Sequence, residues 1–173
     1  MILTRRRVLE VGGGILAALL ARPAAAMSAS VEIAMQGRPD GSHVWFDPIG
    51  LHIEPGQTVR WINRDRGNSH TVTSYHPEIF DRPRRIPAKA KAWDSGYLLP
   101  EETFSVRFDE EGVYDYYCVP HEHAGMVGRI VVGKSPAVEA AAETAGLTPL
   151  PEAALNGFPQ VEEIIDNGIV RRE

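Results

Sequence analysis

The stretch YYCVPHEHAGM, residues 116–126, holds the only cysteine of the 173-residue chain, with two histidines and a methionine close behind it. A thiolate and an imidazole suit copper or zinc, and a thioether is a soft donor that favours copper. Taken in order, Cys118, His121 and Met126 form a C-x2-H-x4-M arrangement. A trigonal site of one thiolate and two imidazoles with a weak axial methionine needs one more histidine. The best candidate is His70 in RGNSHTV, at the mouth of another strand. A donor from a distant strand would tie an ion to the scaffold as well as to the loop. Such a site suits Cu(I) and Cu(II) moderately well, so little has to move between oxidation states. It also leaves no obvious open position for a substrate. There is no His-Cys-His triplet and no second cysteine for a dinuclear centre, which limits the chain to one copper used for transfer rather than oxygen chemistry.

Other readings of the same residues stay open at this point. Cys118 and His121 could form a nucleophile pair, which needs an exposed thiol of low pKa and an orienting third group, and leaves Met126 unexplained. Cys118 could also be an ordinary buried cysteine at a strand end, and Met126 a core filler. His123 reads as an exposed histidine rather than a ligand, because its neighbour already supplies the spacing. His43, His52 and His76 have no ligand partners nearby in sequence and read as surface residues.

The elements that must position these donors are short. Two-residue alternation recurs at Val31, Ile33 and Met35, at Val44 and Phe46, at Val59 and Trp61, around Val72, and at Phe104, Val106 and Phe108. It returns at Tyr114, Tyr116 and Cys118 and in RIVVG. Turn formers separate the segments: Asp40-Gly41, Asp47-Pro48, Pro55-Gly56, Asn63 to Gly67, Pro100 and Glu111-Gly112. Many short strands with this punctuation predict an all-β sandwich or barrel. The ligand loop then lies between a strand ending at Tyr117 and one running from Gly128 to Val132, where Pro120 restricts the backbone and Gly125 permits a tight bend.

On these residues the chain resembles the blue copper proteins of the cupredoxin family, of the plastocyanin, halocyanin and pseudoazurin branches. The resemblance covers roughly residues 30–133 and is densest in YDYYCVPHEHAGMVGRIVV and NSHTV. It implies a Greek-key β-sandwich, one copper ion held by His70, Cys118, His121 and Met126, and one-electron shuttling between larger redox partners. It also implies that His121 reaches the surface through an apolar patch, for which Val119, Pro120, Ala124 and Gly125 are suited. Docking must be brief for turnover, so a small interface steered by charge is expected. The acidic run Asp109-Glu110-Glu111 and the basic stretch RPRRIPAKAK, residues 82–91, are both candidate steering elements; the latter reads first as a solvated loop. The alternative function is capture or delivery of copper, with His123 as a transfer ligand.

The two ends differ from this domain. Residues 1–26 carry an arginine cluster, an apolar stretch from Val11 to Ala21 and the triplet Ala24-Ala25-Ala26, the layout of an export signal. TRRRVL resembles a twin-arginine signal, with Glu10 where a lysine is usual. The alternative is an uncleaved anchor at the outer face of the membrane. Cleavage after Ala26 removes Arg5, Arg6, Arg7 and Arg22 against Glu10 alone, taking the formal charge from −5 to −8. An acidic chain is not built to coat nucleic acid. The expected organisation is therefore an export signal (1–26), a copper-binding domain (27–133) and a C-terminal extension (134–173), working as a periplasmic or otherwise extracytoplasmic monomer and not as an enzyme. Within the extension, SPAVEAAAETAG and VEEIIDNG each predict a short helix, which must pack on the β domain to be stable.

Overall fold

A computed structural model describes residues 30–134 and 147–172. The export-signal segment and SPAVEAAAETAG lie outside these described residues.

Strands β1 (Val31–Gly37), β2 (Val44–Asp47), β4 (Gln57–Asn63) and β6 (Thr103–Phe108) make one sheet in the order β2-β1-β4-β6. Strands β3 (Gly50–Ile53), β5 (Thr73–Ser74), β7 (Gly112–Tyr117), β8 (Val127–Val132) and β9 (Ile169–Val170) make the other, in the order β5-β7-β8-β3-β9. The first sheet follows the alternation rule: β6 turns Phe104, Val106 and Phe108 inward and leaves Thr103, Ser105 and Arg107 exposed. The two sheets close on a buried aromatic cluster. The Trp61 and Tyr116 rings meet edge to face at 5.3 Å, Phe46 and Tyr116 at 4.8 Å, and Trp93 and Phe108 at 5.6 Å. The expected all-β sandwich is what forms.

The second sheet departs from simple alternation. Four consecutive residues of β7, Tyr114 to Tyr117, are buried. Their second face is covered by the C-terminal segment, helices α1 (Glu152–Gly157) and α2 (Val161–Asn167). Phe158 and Ala154 pack with Tyr75, Tyr117 and Val127, while Val161 and Ile164 pack with Val131 and Ile49. The VEEIIDNG helix is therefore present as α2 and packs on the β domain, whereas α1 and β9 have no counterpart in the sequence reading. Strand β9 pairs antiparallel with β3, so part of the 134–173 extension is woven into the sheet itself.

Residues 82–91 are not the solvated loop their composition suggested. Arg85 and Arg129 both pair with the buried Asp115 at 2.7 Å, Arg82 pairs with the buried Glu122, and Ile86 is buried; Lys89 and Lys91 remain exposed. A buried carboxylate requires such partners, and the fold takes them from this loop. His76 is likewise buried rather than at the surface, and His52 hydrogen-bonds the Gly133 carbonyl at 2.8 Å.

Candidate metal centre

Cys118 follows directly on β7, and its N–H donates to the Met126 carbonyl (3.0 Å) where the loop returns to β8. Between them Val119–Ala124 form a single 3-10 turn, a local element too short to be legible in the sequence. His121 N–H bonds the Cys118 carbonyl (3.0 Å), and Met126 N–H bonds the His121 carbonyl (3.1 Å). Gly125 ends the turn at φ 81°, the left-handed conformation that glycine adopts without steric cost. The backbone thus brings the two proximal candidates and Met126 round one tight loop.

His70 arrives from across the sandwich. Its backbone N–H and carbonyl pair with Leu98 (3.2 and 2.8 Å), which fixes the residue as if it stood in a strand. The preceding loop is organised by Asn63, whose amide donates to the Asn68 and Leu98 carbonyls (2.8 and 2.9 Å) and whose oxygen receives the Asp65 N–H (2.9 Å). Next along the chain, Thr71 N–H points at the Cys118 sulfur (3.3 Å), and its hydroxyl receives the Val119 N–H (2.8 Å).

The result is a triangle of donors. His70 Nδ1 lies 3.6 Å from Cys118 Sγ and 3.2 Å from His121 Nδ1, and His121 Nδ1 lies 3.4 Å from Cys118 Sγ. The centre of a triangle with such sides is about 2 Å from each corner, the length of a bond from an imidazole nitrogen to a first-row metal ion. The three triangle donors fit a single copper ion, and Met126 is fully buried in the same core cluster as Cys118. His123 is exposed and stands outside the group, and among the described residues His43, His52 and His76 join no such cluster.

The protonation states suit a metal. Burial pushes the pKa of His70 below its ordinary value, outweighing the Asp65 carboxylate, and burial does the same at His121. Both rings are neutral near pH 7. Burial pushes the Cys118 thiol up to about 11 despite the opposing N–H groups of Thr71 and His121. A thiol nucleophile would need the opposite shift.

Sequence reasoning did not find Asp65. Its Oδ2 sits 3.0 Å from His70 Nε2. A carboxylate can only accept, so Nε2 carries the proton and Nδ1 is left free to face the other donors. Burial opposes the Asp65 charge, but the Gly67 N–H, the Asn68 amide and His70 outweigh it and hold the pKa below its ordinary value. Gly37 is required here, because a Cβ at that position would overlap the Asp65 carboxylate. A local signal existed: Asp65 and Gly67 form an Asx turn (2.9 Å) just ahead of His70.

The family of copper-binding proteins that includes plastocyanin and azurin matches residues 31–133. The chain belongs to that family. A chloroplast plastocyanin of Chlamydomonas reinhardtii is 35% identical over 130 residues, which cover 73% of this chain and 82% of the relative. A putative pseudoazurin of Rhizobium leguminosarum bv. viciae is 35% identical over 121 residues, covering 70% of this chain and 72% of the relative. Among solved structures, a pseudoazurin from Sinorhizobium meliltoi superposes with a TM-score of 0.56 at 26% identity, covering 80% of this chain and 98% of that one. The cupredoxin fold and a site for one copper ion follow from this membership together with the donor triangle.

Proposed function

We propose that this cupredoxin is a type 1 copper protein that shuttles single electrons between transient redox partners outside the cytoplasm, with His70, Cys118, His121 and Met126 as its ligands. The observation that carries the reading is the triangle of one sulfur and two nitrogens with sides of 3.2–3.6 Å. Copper bound there supplies one-electron exchange. The protein holds the donors still: Asp65 orients His70, Thr71 steadies the sulfur, and the 3-10 turn fixes His121. Of the three triangle donors only His121 is not fully buried, and exposed Pro120 and Ala124 flank it. An electron would therefore pass at that small apolar edge, where docking need bury little area. The exposed Asp109, Glu110 and Glu111 precede the start of β7, at the opposite end of that strand from Cys118, and Lys89 and Lys91 line the same groove as Asp109 and Glu110, so these runs could steer a partner only at a distance from that edge.

The extracytoplasmic location rests on the signal-like pattern of residues 1–26. Among the described residues no helix is long and apolar enough to cross a membrane. Four donors from the chain would leave a bound ion no obvious position for a substrate, which supports a carrier rather than an enzyme.

The test is direct. Cu(II) added to the purified metal-free protein should give intense visible absorption from the thiolate–copper bond, and Cys118→Ser should abolish it. A colourless wild-type product at stoichiometric copper refutes the assignment. Reversible one-electron cycling with the metal retained separates a carrier from a delivery protein, which should surrender copper to an acceptor. Mass spectrometry of the exported chain reads the mature N-terminus and the bound copper together.

A further inference from the structure

Glu122 stands out among the groups the proposed copper site does not use. It follows His121 directly, in a loop whose neighbours Pro120, His123 and Ala124 are exposed, yet it is only 1% exposed itself. Its Oε1 receives the Tyr75 hydroxyl (2.9 Å), and its Oε2 pairs with the Arg82 guanidinium. Arg82 also donates to the Pro149 carbonyl (3.1 Å) and lies over the Tyr117 ring, 5.5 Å from its centroid. Tyr75 stacks on that same ring at 4.3 Å. Tyr117 is the residue before Cys118. One buried network therefore grips the chain beside two donors, at Tyr117 and at Glu122, and joins them to the C-terminal segment. The Ala153 carbonyl closes on Gly125, where an added Cβ would stand 3.2 Å away.

A buried ion pair adds little net stability, because desolvation offsets the attraction; in some proteins its role is instead to favour one arrangement of its partners. Here the arrangement concerns the turn that carries His121.

We propose that Glu122 is a positioning residue for the metal centre: clamped by Tyr75 and Arg82, it holds the 3-10 turn so that the His121 ring faces Cys118 and His70 before any ion binds. The inference rests on the copper reading of the site. Its effect is to make the loaded and empty loops alike, which keeps rearrangement small when the charge on the ion changes.

The experiment uses the full chain, metal-free and copper-loaded, as wild type, Tyr75→Phe and Glu122→Gln. Tyr75→Phe removes a single hydroxyl and keeps the stack, so it remains informative if Glu122→Gln fails to fold. In the metal-free protein, amide hydrogen exchange at His121, Gly125 and Met126 should quicken about tenfold, as loss of one buried hydrogen bond implies. Amides of β1 and β4 should keep their wild-type rates. In the Cu(II) form the copper hyperfine splitting in electron paramagnetic resonance should change, and electron self-exchange should slow. Exchange that quickens equally in both sheets means a purely structural pair and overturns the proposal; so does unchanged exchange in the loop. The metal-free measurement tests the clamp alone. A wild-type chain that gives no blue colour would sink the copper reading instead.

Discussion

Replacing Asp65 by asparagine should raise the reduction potential of the copper-loaded protein. The Asp65 carboxylate lies 3.0 Å beyond His70 Nε2, on the far side of the ring from Nδ1. Adding the ring and one metal–nitrogen bond puts its charge about 7 Å from the centre of the donor triangle. A unit charge at that distance interacts by about 2 kcal/mol at an effective dielectric of ~20, and by about 0.6 kcal/mol if the loop behaved like water. For a one-electron couple these correspond to on the order of 100 mV and 25 mV. The sign is fixed. A negative charge favours Cu(II) over Cu(I), so its removal moves the potential upward. In Asp65→Asn the new side chain would turn its oxygen to His70 Nε2–H and the Asn68 amide, which leaves the Gly67 N–H without its acceptor. That loss should cost about 1 kcal/mol of stability, tolerable for a domain of this size. Cyclic voltammetry at neutral pH and moderate salt measures the shift. Asp109→Asn is the control, because Asp109 is exposed and among the described residues pairs with Arg107 alone, where solvent and salt screen it. A shift below about 10 mV in Asp65→Asn, or one no larger than the control's, refutes the electrostatic reasoning.

Met126→Leu should retain copper and raise the potential, because loss of the axial donor favours Cu(I); an unchanged potential would remove Met126 from the ligand set. Phe158→Ala tests whether the C-terminal segment belongs to the domain. The Arg85 and Arg129 guanidiniums each stand 5.0 Å from that ring's centroid, and the ring packs on Tyr75. Its loss should cost about 3 kcal/mol and lower the thermal midpoint by on the order of 10 °C, so a shift of about 1 °C would mean the segment is not docked. Loading the metal-free protein with Cu(I) at pH 7 should release about one proton, since the Cys118 thiol is pushed up to about 11 and both imidazoles start neutral. The same protonation makes apparent affinity fall about tenfold for each pH unit below neutral, and a pH-independent affinity measured by competition with a chelator would contradict it.

How much of this was legible in the sequence depended on how local the cause was. Strands such as β1 and β6 announce themselves because one face is buried and the other is not, so alternation survives in the chain. Strand β3 was missed: it has four residues, begins at Gly50 and carries His52 between its apolar residues. Strand β9 has two residues, too few for any period, and exists because β3 offers it an edge. The ligand spacing was legible because a metal ion imposes it on one loop, and His70 because it stands just ahead of the short strand β5. Asp65 and Glu122 were not. Each sits among polar neighbours and looks solvated; Asp65 is buried by the close approach of Gly37, and Glu122 by Arg82, forty residues upstream. The basic stretch around Arg85 was misread for the same reason, since its carboxylate partner Asp115 lies in a strand that looks purely apolar on the core side.

Burial also decides between the two chemistries that the lone cysteine allowed. A nucleophile must be reached and must be ionised. Cys118 is fully buried, its flanking strand is covered on one face by the aromatic core and on the other by the C-terminal segment, and its pKa near 11 leaves about one thiolate in ten thousand at pH 7. As a free thiol it is inert. The same enclosure works in favour of a bound ion, which deprotonates the sulfur outright and gains from donors that water does not contest. The two imidazoles already stand 3.6 and 3.4 Å from the sulfur, and Asp65 leaves His70 with only one nitrogen to offer. An exposed, low-pKa Cys118 would have supported catalysis from the same loop. The aromatic core around Cys118 and Met126 is therefore part of what makes the site a metal cage.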